Sequence, residues 1–160
     1  MITGTTFENN NEAGVYLWNS TLNMFYGCIF NTNSIGGKLI NLSNNNKFSS
    51  CTFDNTDSDI DINASTGVTI QDAVITSSNL GVNITDSANV TLENSTFNNA
   101  GGTGNVQVNL TGNTNVESIN TTFEKSKLRF NDENSNITVK WYLHVLVKSG
   151  APVQGATVKI

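Results

Sequence analysis

Charge is scarce in this 160-residue chain. Only 13% of residues are Asp, Glu, Lys or Arg, Arg129 is the single arginine, and the net charge is −5. An acidic chain of this kind lacks the basic patch that marks a nucleic-acid binder. No apolar run reaches the roughly 18 residues that a transmembrane helix needs, which excludes a helical membrane span. No basic segment leads into an apolar stretch near Met1, so no signal peptide is read. Proline and histidine occur once each, at Pro152 and His144, and cysteine twice. Strong helix formers are few. Their place is taken by 27 Asn, 20 Thr, 15 Ser and 13 Gly, together 75 of 160 residues. These residues favour turns, caps and strands. So polar a composition would suit a disordered chain, but disordered chains are poor in aromatic and β-branched residues. Here eight Phe, two Trp, three Tyr and many Ile and Val recur at regular intervals.

The regularity is a repeat of about 22 residues, set out in three series. The first has a bulky apolar anchor at Phe7, Phe30, Phe53, Ile75, Phe97 and Phe123. The second runs through Trp18-Asn19, Ile40-Asn41, Ile62-Asn63, Ile84-Thr85, Val108-Asn109 and Phe130-Asn131. The third runs through Phe25, Phe48, Val68/Ile70, Val90/Leu92, Val116 and Ile137/Val139. Each lies in a short stretch of alternating apolar and polar residues, which is the strand signal. A strand–turn unit of this length cannot bury its apolar face alone. Stacking successive turns of chain buries it, with each strand pairing in parallel with its counterpart one repeat later, about 4.8 Å away. The fold class expected is therefore all-β, a parallel β-solenoid of six to seven coils over residues 1–140. The long step from Phe97 to Phe123 places extra residues in a bulged loop at Gly101–Gly104.

The units Asn89-Val-Thr-Leu-Glu-Asn-Ser-Thr-Phe97 and Gly67-Val-Thr-Ile70 resemble right-handed parallel β-helix repeats. That broad family includes pectin-degrading lyases, phage tailspikes and large archaeal surface proteins, and the Asn/Thr richness is most similar to the last. The resemblance implies right-handedness, an extracellular or cell-surface setting, and a structural duty as envelope layer, filament or adhesin stalk. Residues 141–160 break the repeat, and the run from Val147 through Gly150, Pro152 and Gly155 to Ile160 resembles the start of an immunoglobulin-like or carboxypeptidase-regulatory-like β-sandwich. Too few residues remain for such a sandwich. The expectation is a piece of a longer protein, or a subunit whose ends meet a neighbour. Partners are then further copies, neighbouring domains of a longer chain, or glycans.

Cys28 and Cys51 each precede an anchor Phe by two residues, which makes them inward neighbours in one ladder continued by Ala73, Ser95 and Thr121. In-register Cβ vectors suit a disulfide poorly, so free buried thiols are favoured over a bond. Sequons of the form N-x-[ST] occur at Asn19, Asn41, Asn63, Asn83, Asn89, Asn94, Asn109, Asn120 and Asn136. Asn19, Asn41, Asn63, Asn109 and Asn131 read as a stacked corner ladder, which makes them poorer glycan acceptors than Asn83, Asn94 and Asn136.

Asp57, Asp59 and Asp61 alternate with Ile60 and Ile62 and are expected to point outward, as are Lys125, Lys127 and Arg129 three coils on. At about 14 Å along the axis the two triads exceed a Debye length and do not pair within one chain. They read as solubility charges, or as stripes that guide packing of neighbouring molecules. A calcium loop would need Gly at the sixth position and a following Glu, so the acidic triad is a weak Ca²⁺ candidate and no other cofactor is implied. If Trp18 and Ile40 point inward, Val15, Leu17 and Leu39 form an exposed apolar strip; a one-residue slip of the first coil would reverse those faces. His144 sits among Leu143 and Val145 and reads as structural. A glycosidase needs paired carboxylates, and the β-helix resemblance implies for a lyase an arginine beside calcium-binding acids, whereas Arg129 stands far from the acidic triad. A lyase or hydrolase, or a carbohydrate binder, is thus the alternative to a non-catalytic structural module.

Overall fold

A computed structural model describes residues 1–76, 79–98 and 106–142. The first coil supplies β1 (Ile2–Thr3), β2 (Thr6–Glu8) and β3 (Ala13–Trp18). The second supplies β4 (Met24–Tyr26), β5 (Ile29–Asn31) and β6 (Ile35–Ile40), and the third β7 (Lys47–Ser49), β8 (Thr52–Asp54) and β9 (Ser58–Asn63). The fourth adds β10 (Thr69–Gln71), β11 (Val74–Ile75) and β12 (Leu80–Thr85), and the fifth β13 (Val90–Glu93), β14 (Thr96–Phe97) and β15 (Val106–Thr111). The sixth has β16 (Asn115–Ile119), a 3₁₀ turn at Lys125–Lys127 and β17 (Leu128–Phe130); β18 (Asn136–Lys140) opens a seventh. The strands build three parallel sheets. Sheet 1 runs β1-β4-β7-β10-β13-β16-β18, sheet 2 runs β2-β5-β8-β11-β14, and sheet 3 runs β3-β6-β9-β12-β15-β17. The chain is a β-solenoid of about six turns, as its periodicity predicts.

Register holds coil after coil. Phe7 pairs with Phe30, Phe30 with Phe53, Phe53 with Ile75 and Ile75 with Phe97, so the anchor series is one interior column. Ile2, Phe25, Phe48, Ile70, Leu92, Ser118 and Val139 make a second. Stacking one repeat above the next puts like rings face to face. Phe30 lies 4.6 Å from Phe53 and 5.0 Å from Phe7, and Phe25 lies 4.9 Å from Phe48. The two files meet edge to face, with Phe30 and Phe48 at 5.8 Å and 75°. Such geometry contributes roughly 0.5–1.5 kcal/mol per pair beyond burial.

The corners explain the composition. Between sheets 1 and 2, the column Gly4, Gly27, Ser50, Asp72, Asn94 and Asn120 has φ between +47° and +61° in six successive coils. A bend tight enough to swing the chain from one sheet to the next in two residues needs the left-handed conformation. Gly, Asn and Asp tolerate it best. Between sheets 3 and 1 the left-handed column is Asn19, Asn41, Ala64, Asp86 and Gly112.

Several expectations are corrected here. Leu39 pairs with Ile62 and Lys38 with Asp61, because the second coil carries an extra residue at its corner, Leu42, with φ +63°. The interior column is therefore Leu17, Leu39, Ile62, Ile84 and Leu110, with the exposed Phe130 next in register, and Ile84 pairs with Leu110 rather than with Val108. Leu17 and Leu39 are buried while Trp18 is 59% exposed, which settles the slip in favour of reversed faces. The expected corner ladder dissolves in part: Asn19 and Asn41 take the corner, but Asn63, Asn109 and Asn131 lie one or more residues before it. Tyr16, Trp18, Tyr26, Trp141 and Tyr142 are all exposed, whereas the Phe side chains other than Phe130 line the interior. The ring that carries a polar atom faces water, and the one that does not is buried.

Cys28 and Cys51 are buried free thiols in one ladder with Ala73, Ser95 and Thr121, as the spacing predicts. Cys51 Sγ donates to the Phe25 and Ser49 carbonyls at 3.6 and 3.4 Å. The 26-residue step from Ile84 to Leu110 locates the extra residues between Phe97 and Val106, most of them outside the described residues. The tail from Leu143 onward, expected from its sequence to open a β-sandwich, lies outside the described residues, His144 included. Among the described residues, no helix is long and apolar enough to cross a membrane.

Candidate functional site

Two arrangements concentrate polar chemistry. The first is the outer face of sheet 3. Register brings Tyr16, Lys38, Asp61, Asn83, Asn109 and Arg129 into one outward column. Side chains of successive coils then sit one strand spacing apart, within reach of one another. Asn83 Nδ2 donates to Asp61 Oδ1 at 2.9 Å, and Asn109 Nδ2 to Asn83 Oδ1 at 2.8 Å. Asn131 Nδ2 completes the row with bonds to Asn109 Oδ1 at 2.9 Å and Thr111 Oγ1 at 2.8 Å. Burial pushes the Asp61 carboxyl up, opposed by the Asn83 hydrogen bond and by Lys38. Lys38 lies 5.4 Å from the Tyr16 ring centre and 3.7 Å from Glu12. Trp18 flanks Tyr16, with ring centres 6.4 Å apart. The face thus offers two exposed aromatic rings at one end and a row of carboxamides along the axis.

The second arrangement is interior, at the corner between sheets 2 and 3. Asn10 donates through its backbone N and Nδ2 to Asn33 Oδ1 at 3.1 and 2.8 Å. Asn33 donates in the same two ways to Asn55 Oδ1 at 3.2 and 2.9 Å. Asn55 donates both to Asp59 Oδ1, at 2.9 and 3.0 Å. An asparagine can do this because one amide carries an acceptor and donors at once, so each member closes the orphan N–H of the coil before it. The amides need room: a Cβ on Gly36 would lie 2.6 Å from Asn55 Nδ2 and 2.5 Å from the Asp59 carbonyl. Asp59 ends the ladder. It is fully buried, and its Oδ2 has no hydrogen-bond partner among the described residues. Burial pushes its carboxyl up to about 7, against the lowering pull of the Asn55 bonds, and the Asp54 carboxylate adds to the rise.

Asp59 therefore does not point outward, which corrects the acidic stripe. It lies between Ser58 and Ile60, level with Gly36 and Gly81 of the neighbouring coils, and Ser58, Asp59 and Ile60 are buried in succession. Asp57 is exposed and accepts from Ser34 Oγ at 2.5 Å. Asp61 is half-buried in the outer row. Lys125 and Lys127 belong to the 3₁₀ turn rather than to a strand, with Lys127 3.1 Å from Glu124. Only the Asp61–Arg129 pair keeps the expected relation, one column and three coils apart. Among the described residues, no three His, Cys, Asp or Glu side chains gather as a metal site.

Of the sequons, Asn19, Asn41, Asn63, Asn89, Asn120 and Asn136 are exposed, and Asn83, Asn94 and Asn109 are half-buried. Asn83 both donates and accepts within the outer row, and Asn94 accepts from Asn120 Nδ2 at 2.9 Å. The ladder of the exposed Asn10 and the buried Asn33 and Asn55 is not read from the sequence, nor is Asn23 over Asn46. A signal was present: an Asn follows each of Phe7, Phe30 and Phe53 by two or three residues.

In comparisons with known proteins, residues 1–128 match the family model described as a right handed beta helix region. No curated protein matches the chain.

Proposed function

The chain belongs to the right-handed β-helix family, and from that premise we propose that it is a rigid, non-catalytic rod module of an extracellular or cell-envelope protein. The observation that carries this reading is the parallel register that sheets 1 and 3 keep through six coils. The same columns pass through coil after coil, and corner ladders tie each coil to the next. Bending such a rod breaks ladder bonds in several coils at once, so stiffness is the property the architecture supplies. The outer columns are rich in Thr and Asn and face solvent, glycans or neighbours. In this reading exposed sequons such as Asn89 and Asn136 carry N-glycans, and the Asp61 and Arg129 positions guide staggered contact between copies. Antibody labelling of intact source cells, with lysed cells as control, tests the location. Labelling confined to lysed cells would remove the proposal. The mass of the native protein against the 17.2 kDa of the sequence tests the glycans.

A carbohydrate-binding reading is favoured by one feature, the Tyr16–Trp18 pair beside the carboxamide row. Flat aromatic faces and a line of amides suit an extended sugar chain. Titration with polyuronate oligosaccharides, read by fluorescence in the native chain and in Trp18→Ala, separates the two. Saturable binding lost in the variant, or release of cleaved product, would reverse the ranking.

A further inference from the structure

The interior ladder changes chemistry at one place. Asn10 and Asn33 each donate to a carboxamide of the next coil, Asn33 and Asn55, but one repeat beyond Asn55 the sequence carries Ser77. Asp59 supplies the acceptor instead, from within the third coil. A second carboxamide would have put an NH₂ where Asp59 puts Oδ2, the atom left without a partner among the described residues. A buried oxygen of this kind is tolerable as part of a neutral acid and costly as part of an anion.

We propose that Asp59 is a proton-operated latch in the rod: protonated, it locks the corner of the second and third coils; ionised, it lets that corner open. This is independent of what the rod is attached to. The charged groups around Asp59 offer no compensation. Asp54 on β8 and Asp57 in the following turn are acidic. Asp61 on its own strand is acidic and engaged with Asn83. β12, packed on the other side, carries no charged residue. The one cation on β6, Lys38, lies on the outer face over Tyr16.

Burial holds the native carboxyl at about 7, so the closed corner keeps a proton that an open, hydrated corner releases at ordinary carboxylate pH. The closed state then loses ground as pH rises from about 4 to about 7, by roughly tenfold per unit, and is level above that. Slow opening of a single corner is the kind of event that amide exchange reports.

The test uses the full chain. The Asp59 carboxyl carbon shift is followed by NMR against pH. Exchange of the Asn33 and Asn55 amides is measured from pH 5 to 8 and corrected for intrinsic rates. Expected are a titration midpoint near 7 and protection that falls about tenfold per unit up to pH 7, with Thr69 and Thr91 in sheet 1 unaffected. In Asp59→Asn, which keeps the acceptor and fills the orphan position with a donor, protection is flat with pH. A midpoint near 4, or native protection that does not change between pH 5 and 7, overturns the proposal. So does a variant that shows the same fall as the native chain. If Asp59→Asn does not fold, the native titration and exchange decide alone.

Discussion

In the first three coils the interior files hold Phe7, Phe30 and Phe53, with Phe25 and Phe48 beside them. In the later coils the same positions hold Ile75, Phe97 and Phe123, with Ile70, Leu92 and Ser118. The corner ladders differ in parallel. Carboxamide ladders at Asn10, Asn33 and Asn55 and at Asn23 and Asn46 occur in the early coils, whereas hydroxyl ladders run through both halves at Ser43, Ser65, Ser87 and Ser135, and Ser95 and Thr121 take over the Cys28 and Cys51 column in the later coils. Backbone register is the same in both halves, so it does not depend on any one side-chain chemistry. What changes is how strongly each position is specified. Stacked rings and two-bonded amides permit one geometry, while aliphatic groups and hydroxyls permit several.

The largest test removes a ring from the file. Phe30 is fully buried and meets Phe7, Phe25, Phe48 and Phe53. Phe30→Ala should cost about 3–5 kcal/mol by chemical denaturation. Ile75→Ala, in the same column of the later half, should cost about 1 kcal/mol less, because no ring stack is lost with it. Equal losses would mean that stacking adds nothing to register and that the two halves are energetically alike.

Next comes the ladder. Asn55→Ala removes the shared acceptor of the Asn33 backbone N–H and Nδ2 and one of the two donors to Asp59 Oδ1, whose bond from the residue-55 backbone N–H remains, at about 2–4 kcal/mol in total. Ser95→Ala unpairs only the Ala73 N–H, at about 1–2 kcal/mol. A cost at Ser95 equal to that at Asn55 would erase the distinction between amide and hydroxyl corners.

The Phe files were legible in sequence because a two-dozen-residue period with one large apolar residue leaves a single solution. The face of a strand was harder to read. Trp18 and Ile40 looked like core by size, and one inserted residue, Leu42, shifted the count by one and exchanged inside for outside. Asp59 was misread for a related reason. Alternation assumes that every second residue faces outward, and in β9 Ser58, Asp59 and Ile60 are buried in succession. The outer row of Asp61, Asn83, Asn109 and Asn131 was hidden because it runs between coils, at spacings that a linear motif does not express.

A smaller and opposite effect is expected at Ser118. Its hydroxyl is buried in the second file between Leu92 and Val139, without a hydrogen-bond partner among the described residues. Ser118→Ala should raise stability by about 1 kcal/mol, since it removes a buried polar atom and no bond. A loss instead would show that this half of the rod depends on a contact to that oxygen, and the contrast with the early coils would need redrawing.

The smallest effect is expected where the two halves share a column. Cys51 in the third coil and Ser95 in the fifth occupy equivalent places, and each donates to one carbonyl of the coil below and to the carbonyl two residues before it. Cys51→Ser should therefore change stability by less than about 1 kcal/mol, because the column already accepts a hydroxyl. Its thiol is pushed up to about 11, chiefly by burial, against the lowering pull of backbone hydrogen bonds at Cys28 and Ser49. A buried thiol that stays protonated is a poor nucleophile, so Cys51 should resist maleimide at neutral pH and react only once the chain is unfolded by denaturant. Rapid labelling of Cys51 in the folded protein would mean that the early coils open as readily as the later ones, and the stiffness assigned to their stacked rings and amides would be wrong.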